Sequence, residues 1–305
     1  MDKLTRIKVF VNVVETGSFS AASARMGISR AAASKYVSQL EDHLGVRLLN
    51  RTTRHVSTTE SGRIYFERCK EILHNIEEAD DMVSGLSGQP QGTLRISAPS
   101  VFAHRHIIPL VSEFTKTYPD VNVEIMVSDR NVDLVDEGYD LAIRITNMES
   151  SDLIAHRLAR CRHVVIASPD YLKTAPPLQV PEDLQHHSCM LYSYTEGGRW
   201  PLSKDGMDYS VKISPDIISN NPEVLLEAAI TGMGISIMPT FIASDAIRSG
   251  DLQTVLDDYE SLELHIYAVY TSRHYLPAKI RVFVDLLKER INDPPYWDHF
   301  LTVRH

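Results

Sequence analysis

Residues 18 to 45 read SFSAASARMGISRAAASKYVSQLEDHLG, and this stretch constrains the fold more than any other part of the chain. It holds two runs rich in alanine and serine, separated by a turn that contains Gly27. Ser18 or Ser20 can cap the first run and Ser29 the second, because a serine hydroxyl caps a helix by accepting an unpaired backbone N–H. Small side chains let two helices pack closely. The pattern predicts a helix-turn-helix in which Gly27 takes a positive φ in the turn.

Apolar residues at helical spacing between Leu4 and Val14 predict another helix before this pair. The later run, from Ser29 to Gly45, predicts a helix whose N-terminal residues would enter a major groove of DNA. The segment VRLLNRTTRHVSTTESG follows and predicts a two-stranded wing with arginines and threonines suited to phosphate contacts. A helical bundle with a solvated basic face is the alternative interpretation.

Charge separates this head from the rest of the chain. Residues 1–58 contain 9 Lys and Arg against 4 Asp and Glu, whereas the whole chain of 305 residues carries a net charge of -9. A basic head on an acidic body indicates that the head meets a polyanion and that the body does not.

The segment from Thr59 to Gly88 lacks proline and repeats apolar residues at alternating spacings of four and three. Such a seam predicts a helix that pairs with a second helix in a coiled coil. The seam residues are Tyr65, Cys69, Ile72, Ile76, Ala79, Val83 and Leu86. We therefore expect a DNA-binding head over 1–59, a dimerisation helix and hinge over 60–89, and a body over 90–305.

Strand-like and helical segments alternate in the body, from GTLRISAPS through HRHIIPLVSEFTKTYPD and VNVEIMVSD to DLAIRI. This order predicts an α/β fold with a parallel sheet covered by helices. The later segments predict a second α/β lobe, so that lobe I spans about 90–162 and 269–290 and lobe II about 163–268. Two such lobes leave a cleft at the carboxyl ends of their strands, where small ligands usually bind.

Enzyme and metal motifs are missing from the sequence. There is no G-x-S-x-G, P-loop or H-E-x-x-H, and no G-x-G-x-x-G after a strand. His104 and His106 have no partners at metal-ligand spacing, and we expect both in solvent at a helix start. The sequence predicts neither an enzyme nor a bound metal or cofactor.

Cysteine usage and hydropathy bear on location. Cys69, Cys161 and Cys189 lie far apart without a C-x-x-C pair, which fits a reducing cytoplasm and argues against disulfides or a zinc ribbon. No apolar run reaches the ~18 residues that span a bilayer, and the N-terminus lacks the features of a signal peptide. We expect a cytoplasmic protein with no membrane partner.

The motifs resemble those of the LysR-type transcriptional regulators over nearly the whole chain. The head carries FVNVVETGSFSAASARMGIS and SKYVSQLEDHLGVRLLNRTTRHVSTTESG, and the body carries SAPS, SDRNVDLVDEG, AAITGMGISIMP and LPAKIRVFVDLL. The body segments look most like the CrgA- and AaeR-like branch. The resemblance implies a winged helix-turn-helix, a dimerising linker helix and an effector domain like the periplasmic binding proteins, assembled as a homodimer or homotetramer.

The resemblance also assigns operator contacts. On the recognition helix they are Ser29, Arg30, Ser34 and Lys35, and in the wing they are Arg51, Thr52 and Arg54. An arginine can pair bidentately with guanine, whereas a lysine or hydroxyl more often positions the DNA backbone. Many members of the family carry Gln-Pro where this chain has Arg30-Ala31. We therefore expect the base preference of this recognition helix to differ from theirs.

The candidate effector-binding residues lie at strand ends and at one helix start. They are Ser100, Val101, Phe102, Ser128, Asp129, Arg144, Tyr192, Tyr194, Asn220, Asn221 and Gly234. The serines could donate to a carboxylate, and the fork of Arg144 matches a planar anion. NNPE begins a helix, whose first amides attract negative charge.

Each of these candidates also has a structural interpretation. The two serines could cap turns, and Arg144 could pair with a carboxylate such as Asp129. For the tyrosines, packing in the core or cleft wall is favoured over bonding to a ligand.

Together these features predict a DNA-binding transcriptional regulator that responds to a small anionic effector, such as an organic or aromatic acid. Its expected partners are double-stranded operator DNA, the effector, further copies of the chain and RNA polymerase. Two alternatives remain open at this point. One is a redox-responsive regulator that uses Cys161 and Cys189, and the other is a small-molecule-binding protein without a DNA role.

Overall fold

The computed structural model describes residues 2–51, 56–85, 89–130, 133–134, 137–147, 153–261, 264–271 and 276–303. The chain divides into two compact units, Met1–Ser87 and Gly88–His305. From here on, the head is the first unit, which includes the predicted linker helix, and the body is the second unit.

The head consists of helices and a small wing. The elements are α1 (Lys3–Thr16), α2 (Phe19–Arg25), α3 (Arg30–Leu44), β1 (Leu49–Arg51), β2 (Val56–Thr58) and α4 (Glu60–Gly85). β1 and β2 pair in antiparallel fashion. The core forms where Phe10 and Val13 of α1 meet Val37 and Leu40 of α3, all of them fully buried.

The beginning of α4 belongs to this same core. Tyr65 and Cys69 pack against the head, and the rings of Phe10 and Tyr65 lie 5.8 Å apart. The predicted coiled-coil seam is therefore wrong at its start, because these two residues are already used within one chain. Ile72 is 48% exposed and remains available for the seam. The side chains of the later seam residues Ala79, Val83 and Leu86 lie outside the described part of the chain.

Two buried contacts fix the wing and the start of α4. The Glu41 carboxylate accepts the backbone N–H groups of Leu48 at 2.9 Å and Leu49 at 3.1 Å. Gly62 lies so close to the Leu48 carbonyl that an added Cβ would be 1.9 Å from its oxygen. Thr59 caps α4, since its hydroxyl accepts the Gly62 N–H at 2.9 Å.

The first lobe of the body is built on a mixed sheet. Its strands, in spatial order, are β4 (Val121–Val127), β3 (Gly92–Ala98), β5 (Leu141–Thr146), β15 (Leu264–Thr271) and β6 (Leu153–Cys161). β3 is parallel to β4 and β5, as the sequence predicts, whereas β15 is antiparallel to β5 and β6. The antiparallel edge arises because β6 leaves the lobe and β15 returns to it.

The second lobe contains two sheets. The larger, in spatial order, has β11 (Pro215–Ser219), β8 (Cys189–Tyr192), β12 (Ile235–Pro239), β7 (His163–Ala167) and β13 (Gln253–Val255). The smaller has β10 (Met207–Lys212), β9 (Arg199–Lys204) and β14 (Glu260–Ser261). The predicted end of this lobe at 268 is wrong, because it falls inside β15, which pairs with β5 and β6 of the first lobe from Leu264 onward.

Helices pack against the two five-stranded sheets of the body. They are α5 (Ser100–Phe102), a π-helical turn (Ala103–Ile107), α6 (Ile108–Thr117), α7 (Pro169–Thr174), α8 (Pro222–Ile230), α9 (Thr240–Ser249) and α10 (Ala278–Arg290). Short 3-10 helices are Pro181–His186, Glu196–Gly198 and Tyr296–Val303. The stretch from α5 to α6 is one continuous helical run, because its junction residues Ala103 and Ile108 keep right-handed helical angles.

The π-helical turn directs His106 into the body rather than into solvent, so the prediction for this residue is wrong. The ring lies among Phe102, Phe241 and Trp297, the last with ring centroids 4.5 Å away. Its Nδ1 is 2.5 Å from the Tyr296 hydroxyl oxygen. His104 is exposed, as expected.

Candidate DNA-binding surface and effector cleft

Local chemistry sets the start of the recognition helix. Ser29 has extended backbone angles and its hydroxyl accepts the Ala32 N–H at 3.1 Å, so that α3 begins at Arg30. Gly27 takes a φ of 64° in the turn before it. The serine cap and the glycine turn therefore lie where the sequence predicts them.

The burial pattern of α3 separates its packing side from its open side. Ala33, Val37 and Leu40 are buried against the head core. Arg30 and Lys35 are exposed, and Ser34 is half-buried. The first two turns of α3 therefore present two cations to solvent, which is what a helix that reads a major groove requires.

The wing assignments stay predictions. Arg51 ends β1, and its side chain lies outside the described part of the chain. Thr52 and Arg54 also lie outside the described residues.

At the carboxyl edge of the first sheet, Ser100 and Asp129 are joined directly. The Ser100 backbone N–H donates to Asp129 Oδ1 at 3.0 Å, and the Ser100 hydroxyl donates to Oδ2 at 3.0 Å. Ser128 donates its N–H to the Ala98 carbonyl, and its hydroxyl accepts the Arg130 N–H at 3.3 Å. Ser128 therefore caps a turn, as its structural interpretation expects, whereas Ser100 caps no turn and binds Asp129 instead.

The second lobe contributes two tyrosines near the same carboxylate. Tyr192 ends β8 and is half-buried, whereas Tyr194 is 52% exposed. Their rings meet edge to face with centroids 5.4 Å apart. Burial raises the pKa of Tyr192, and the nearby charge of Asp129 raises it further. Asp129 is thus a meeting point of the two lobes.

Arg144 lies on β5 and contacts the segment that follows β4. Its Nη1 donates to the Arg130 carbonyl at 3.4 Å. Burial lowers the pKa of Arg144, and the opposing charge of Glu137 limits this effect. The Arg144 guanidinium therefore already has at least one hydrogen-bond partner within the protein.

Three of the predicted effector residues have packing roles. The side chains of Val101 and Phe102 are buried in the core, so they are not open to a ligand. An added Cβ at Gly234 would lie 2.3 Å from the Ser188 carbonyl oxygen, so this glycine allows two backbone segments to pack closely.

The two asparagines lie at the start of α8. Asn221 caps the helix by accepting the Glu223 N–H at 2.9 Å. Asn220 is exposed in the preceding loop.

Sequence reasoning missed Arg105, which links the lobes. The π-helical turn aims its guanidinium at the second lobe, where Nη1 donates to the Ile242 carbonyl at 2.9 Å. Nη2 lies 3.5 Å from the Glu223 carboxylate. No local sequence signal identifies this contact, because both partners are more than a hundred residues away along the chain. An arginine between two histidines is also common on a helix surface and does not by itself indicate a buried partner.

Family models match both units. The model of the bacterial regulatory helix-turn-helix protein, lysR family, matches residues 4–63. The model of the LysR substrate binding domain matches residues 87–292. The two matches follow the division of the structure into head and body.

Named relatives extend along nearly the full chain. An uncharacterized HTH-type transcriptional regulator of Haemophilus influenzae is 40% identical over 92% of this chain and 98% of its own length. The HTH-type transcriptional activator AaeR of Escherichia coli is 33% identical over 95% of this chain and 94% of its own. The structure of CrgA, a LysR-type transcriptional regulator from Neisseria meningitidis, aligns with a TM-score of 0.61 at 33% identity, covering 94% and 98% of the two chains.

The winged head, the two-lobed body and these relatives define a DNA-binding transcriptional regulator with a substrate-binding domain. The chain belongs to the LysR-type family. Its relatives are transcriptional regulators and not enzymes, and the family binds operator DNA and small-molecule effectors and forms oligomers. Within the described residues, no helix is long and apolar enough to cross a membrane.

Proposed function

We propose that this regulator acts in the cytoplasm as a homodimer or homotetramer and binds an interrupted palindrome near its own gene or a divergent one. Ser29, Arg30, Ser34 and Lys35 would contact the operator from α3, and the wing residues Arg51, Thr52 and Arg54 would contact the phosphates or the minor groove. The observation that carries this proposal is the serine-capped start of α3, whose first two turns hold the exposed cations Arg30 and Lys35.

Oligomerisation would follow from the operator geometry. One head reads a short half-site, and two heads at a fixed spacing read two half-sites. Ile72 of the predicted seam is 48% exposed, so this residue is open to a contact between two copies along α4. At the promoter, the bound oligomer would act on RNA polymerase.

The effector would bind between the lobes, beside Ser100, Asp129, Tyr192 and Tyr194. The two tyrosine rings offer an apolar wall with hydroxyl groups, which suits a small organic or aromatic acid. A ligand that binds one setting of the lobes better than another shifts the population of that setting. The shift would alter the relative position of the DNA-binding heads.

A redox-responsive mechanism is not favoured by the geometry. Cys161 and Cys189 are fully buried. Burial raises the pKa of Cys189 to about 12 and raises the pKa of Cys161 as well. A buried thiol with a raised pKa holds little of the reactive thiolate.

The DNA-binding part is tested by charge reversal at Arg30. Full-length protein and its Arg30→Glu variant are titrated onto the gene's upstream DNA in a mobility-shift assay. Loss of one base or phosphate contact plus repulsion should weaken binding by about tenfold to a hundredfold. Arg248→Glu is the matched control, because Arg248 is an exposed arginine of the body, paired with Asp245. Equal binding by all three proteins would contradict the assignment of α3.

The effector part is tested at Arg144. Arg144→Ala should abolish the change in operator binding caused by an effector while preserving operator binding itself. An unchanged response would remove Arg144 from the effector site.

A further inference from the structure

The Asp129 carboxylate accepts hydrogen bonds from both donor groups of Ser100. One carboxylate oxygen accepts the backbone N–H and the other accepts the hydroxyl, each at 3.0 Å. The two residues are 29 positions apart in sequence, so the pair joins the loop after β4 to the start of the helical run.

The Asp129 carboxylate therefore lies at the helix start, where the carboxylate of a ligand would otherwise bind. The continuous helical run from Ser100 to Thr117 begins with backbone N–H groups that have no partner within the helix. Pro99 precedes it and provides no side-chain cap. The first turn of a helix favours negative charge, and here the charge comes from the protein's own carboxylate.

The charge of Asp129 is compensated mainly by these donors. Among the described residues, no lysine or arginine forms an ion pair with it. Neighbouring Arg130 pairs instead with Glu137 at 2.9 Å. On the side of the second lobe, the hydroxyl of Tyr192 faces the carboxylate closely enough for the two groups to interact. A second carboxylate could not use Ser100 while Asp129 remains there.

We propose that Asp129 is a built-in competitor for an acidic effector, holding the position at Ser100 that the carboxylate of the effector takes when it binds. This inference rests on the proposed function, since it concerns the same cleft. Binding would exchange one carboxylate for another at Ser100. The freed Asp129 would leave both the helix start and Tyr192, which alters a contact between the lobes.

The competitor sets the concentration at which the effector acts. A carboxylate held on the same chain competes at an effective concentration of about millimolar or above. The apparent affinity of the effector equals its intrinsic affinity multiplied by the fraction of molecules in which Ser100 is vacant. Asp129 therefore reduces the response to weak or abundant acids and selects for an acid with additional contacts in the cleft.

The test uses sodium benzoate as the probe and full-length protein in isothermal titration calorimetry. Asp129→Ala should bind benzoate at least about tenfold more tightly than the unchanged chain. This factor corresponds to one charge-assisted hydrogen bond to Ser100 that benzoate no longer has to take from Asp129. The double variant Asp129→Ala/Ser100→Ala should lose that gain. Asp257→Ala is the matched control, because it removes the same charge from an exposed turn and should leave benzoate binding unchanged.

Asp129→Asn provides a variant that keeps the shape of the side chain. Its amide oxygen can still accept one bond from Ser100, so its gain in benzoate affinity should be smaller than that of the alanine variant. Trp200 and Trp297 fluorescence checks that the body of each variant is folded. If neither folded variant gains affinity, or if the double variant keeps the gain, the competitor role is wrong.

The outcomes separate this inference from the proposed function. Tighter benzoate binding without any change in operator binding would support the competitor and contradict the acid-responsive part of the proposed function. Operator binding that responds to benzoate equally in the unchanged chain and in Asp129→Ala would support that function and overturn the competitor.

Discussion

The Glu41 carboxylate connects the recognition helix to the wing, and its removal gives a sharp prediction. In Glu41→Ala, the backbone N–H groups of Leu48 and Leu49 lose their acceptor while their residues remain buried. Each unsatisfied buried donor costs roughly 1–3 kcal/mol, so the head should lose about 2–6 kcal/mol of unfolding free energy. Such a loss is a large part of the ~5–15 kcal/mol that typically stabilises a domain.

The two tryptophans allow the loss to be assigned to the head. Trp200 and Trp297 are the only tryptophans in the sequence, and both belong to the body. Urea unfolding followed by tryptophan fluorescence therefore reports the body, whereas far-ultraviolet circular dichroism reports both units. Glu41→Ala should shift the head transition to lower urea and leave the fluorescence transition in place.

Glu15→Ala is the matched control. Glu15 pairs with Arg25 at 3.2 Å on the open surface of the same unit. Exposed ion pairs contribute about 0–1 kcal/mol, so this variant should unfold close to the unchanged protein. If Glu41→Ala is no less stable than Glu15→Ala, or if its fluorescence transition moves as far as the head transition, the reasoning is refuted.

Two further predictions concern the body, and a third concerns the cysteines of both units. Burial lowers the pKa of His106 to about 4, so as the pH falls the unfolded chain binds a proton at this residue before the folded chain does. The free energy of unfolding should therefore fall by roughly 3 kcal/mol between about pH 6.5 and pH 4. In urea unfolding followed by fluorescence, His106→Gln should flatten this dependence on pH. A slope that His106→Gln leaves unchanged would contradict this. Gly234→Ala should cost about 1–3 kcal/mol or more by the same assay, because of the backbone contact behind it, and a neutral effect would refute the close packing. Thiol titration should find the cysteines unreactive until urea unfolds the chain, and rapid reaction in the native state would revive a redox role; they are Cys69, Cys161 and Cys189.

The head could be predicted from sequence because its signals are local. The hydroxyls of Ser18 and Ser29 cap the helices that they precede. Gly17 and Gly45 end helices in the left-handed conformation, as their positions indicate. In each case the side chain acts on backbone within three or four residues, so a single sequence contains the whole interaction.

The coiled-coil seam shows where periodicity stops being decisive. Tyr65 and Cys69 have the spacing of a partner-facing stripe, and the same spacing serves to pack α4 on its own head. A pattern of apolar residues identifies a buried face without identifying what covers it. The misplaced lobe boundary has a similar origin, because the apolar pattern of β15 does not say which sheet the strand joins.

The candidate cleft depended on contacts that no local pattern contains. Ser100 was identified as a donor, but its acceptor Asp129 is 29 residues away. His106 was expected in solvent, and its partner Tyr296 is 190 residues away. The chemistry of each side chain could be predicted, whereas the partner that uses it is chosen by the tertiary fold.

The central claim is that the N-terminal turns of α3 bind operator DNA. The most direct measurement is a mobility shift on the gene's own upstream region, run across a series of salt concentrations with the unchanged protein and Arg30→Glu. We expect tight binding that weakens steeply with salt, and weaker binding with a shallower salt dependence for Arg30→Glu, because one cation at the DNA surface is lost. Identical affinity and identical salt dependence for the two proteins would contradict the claim.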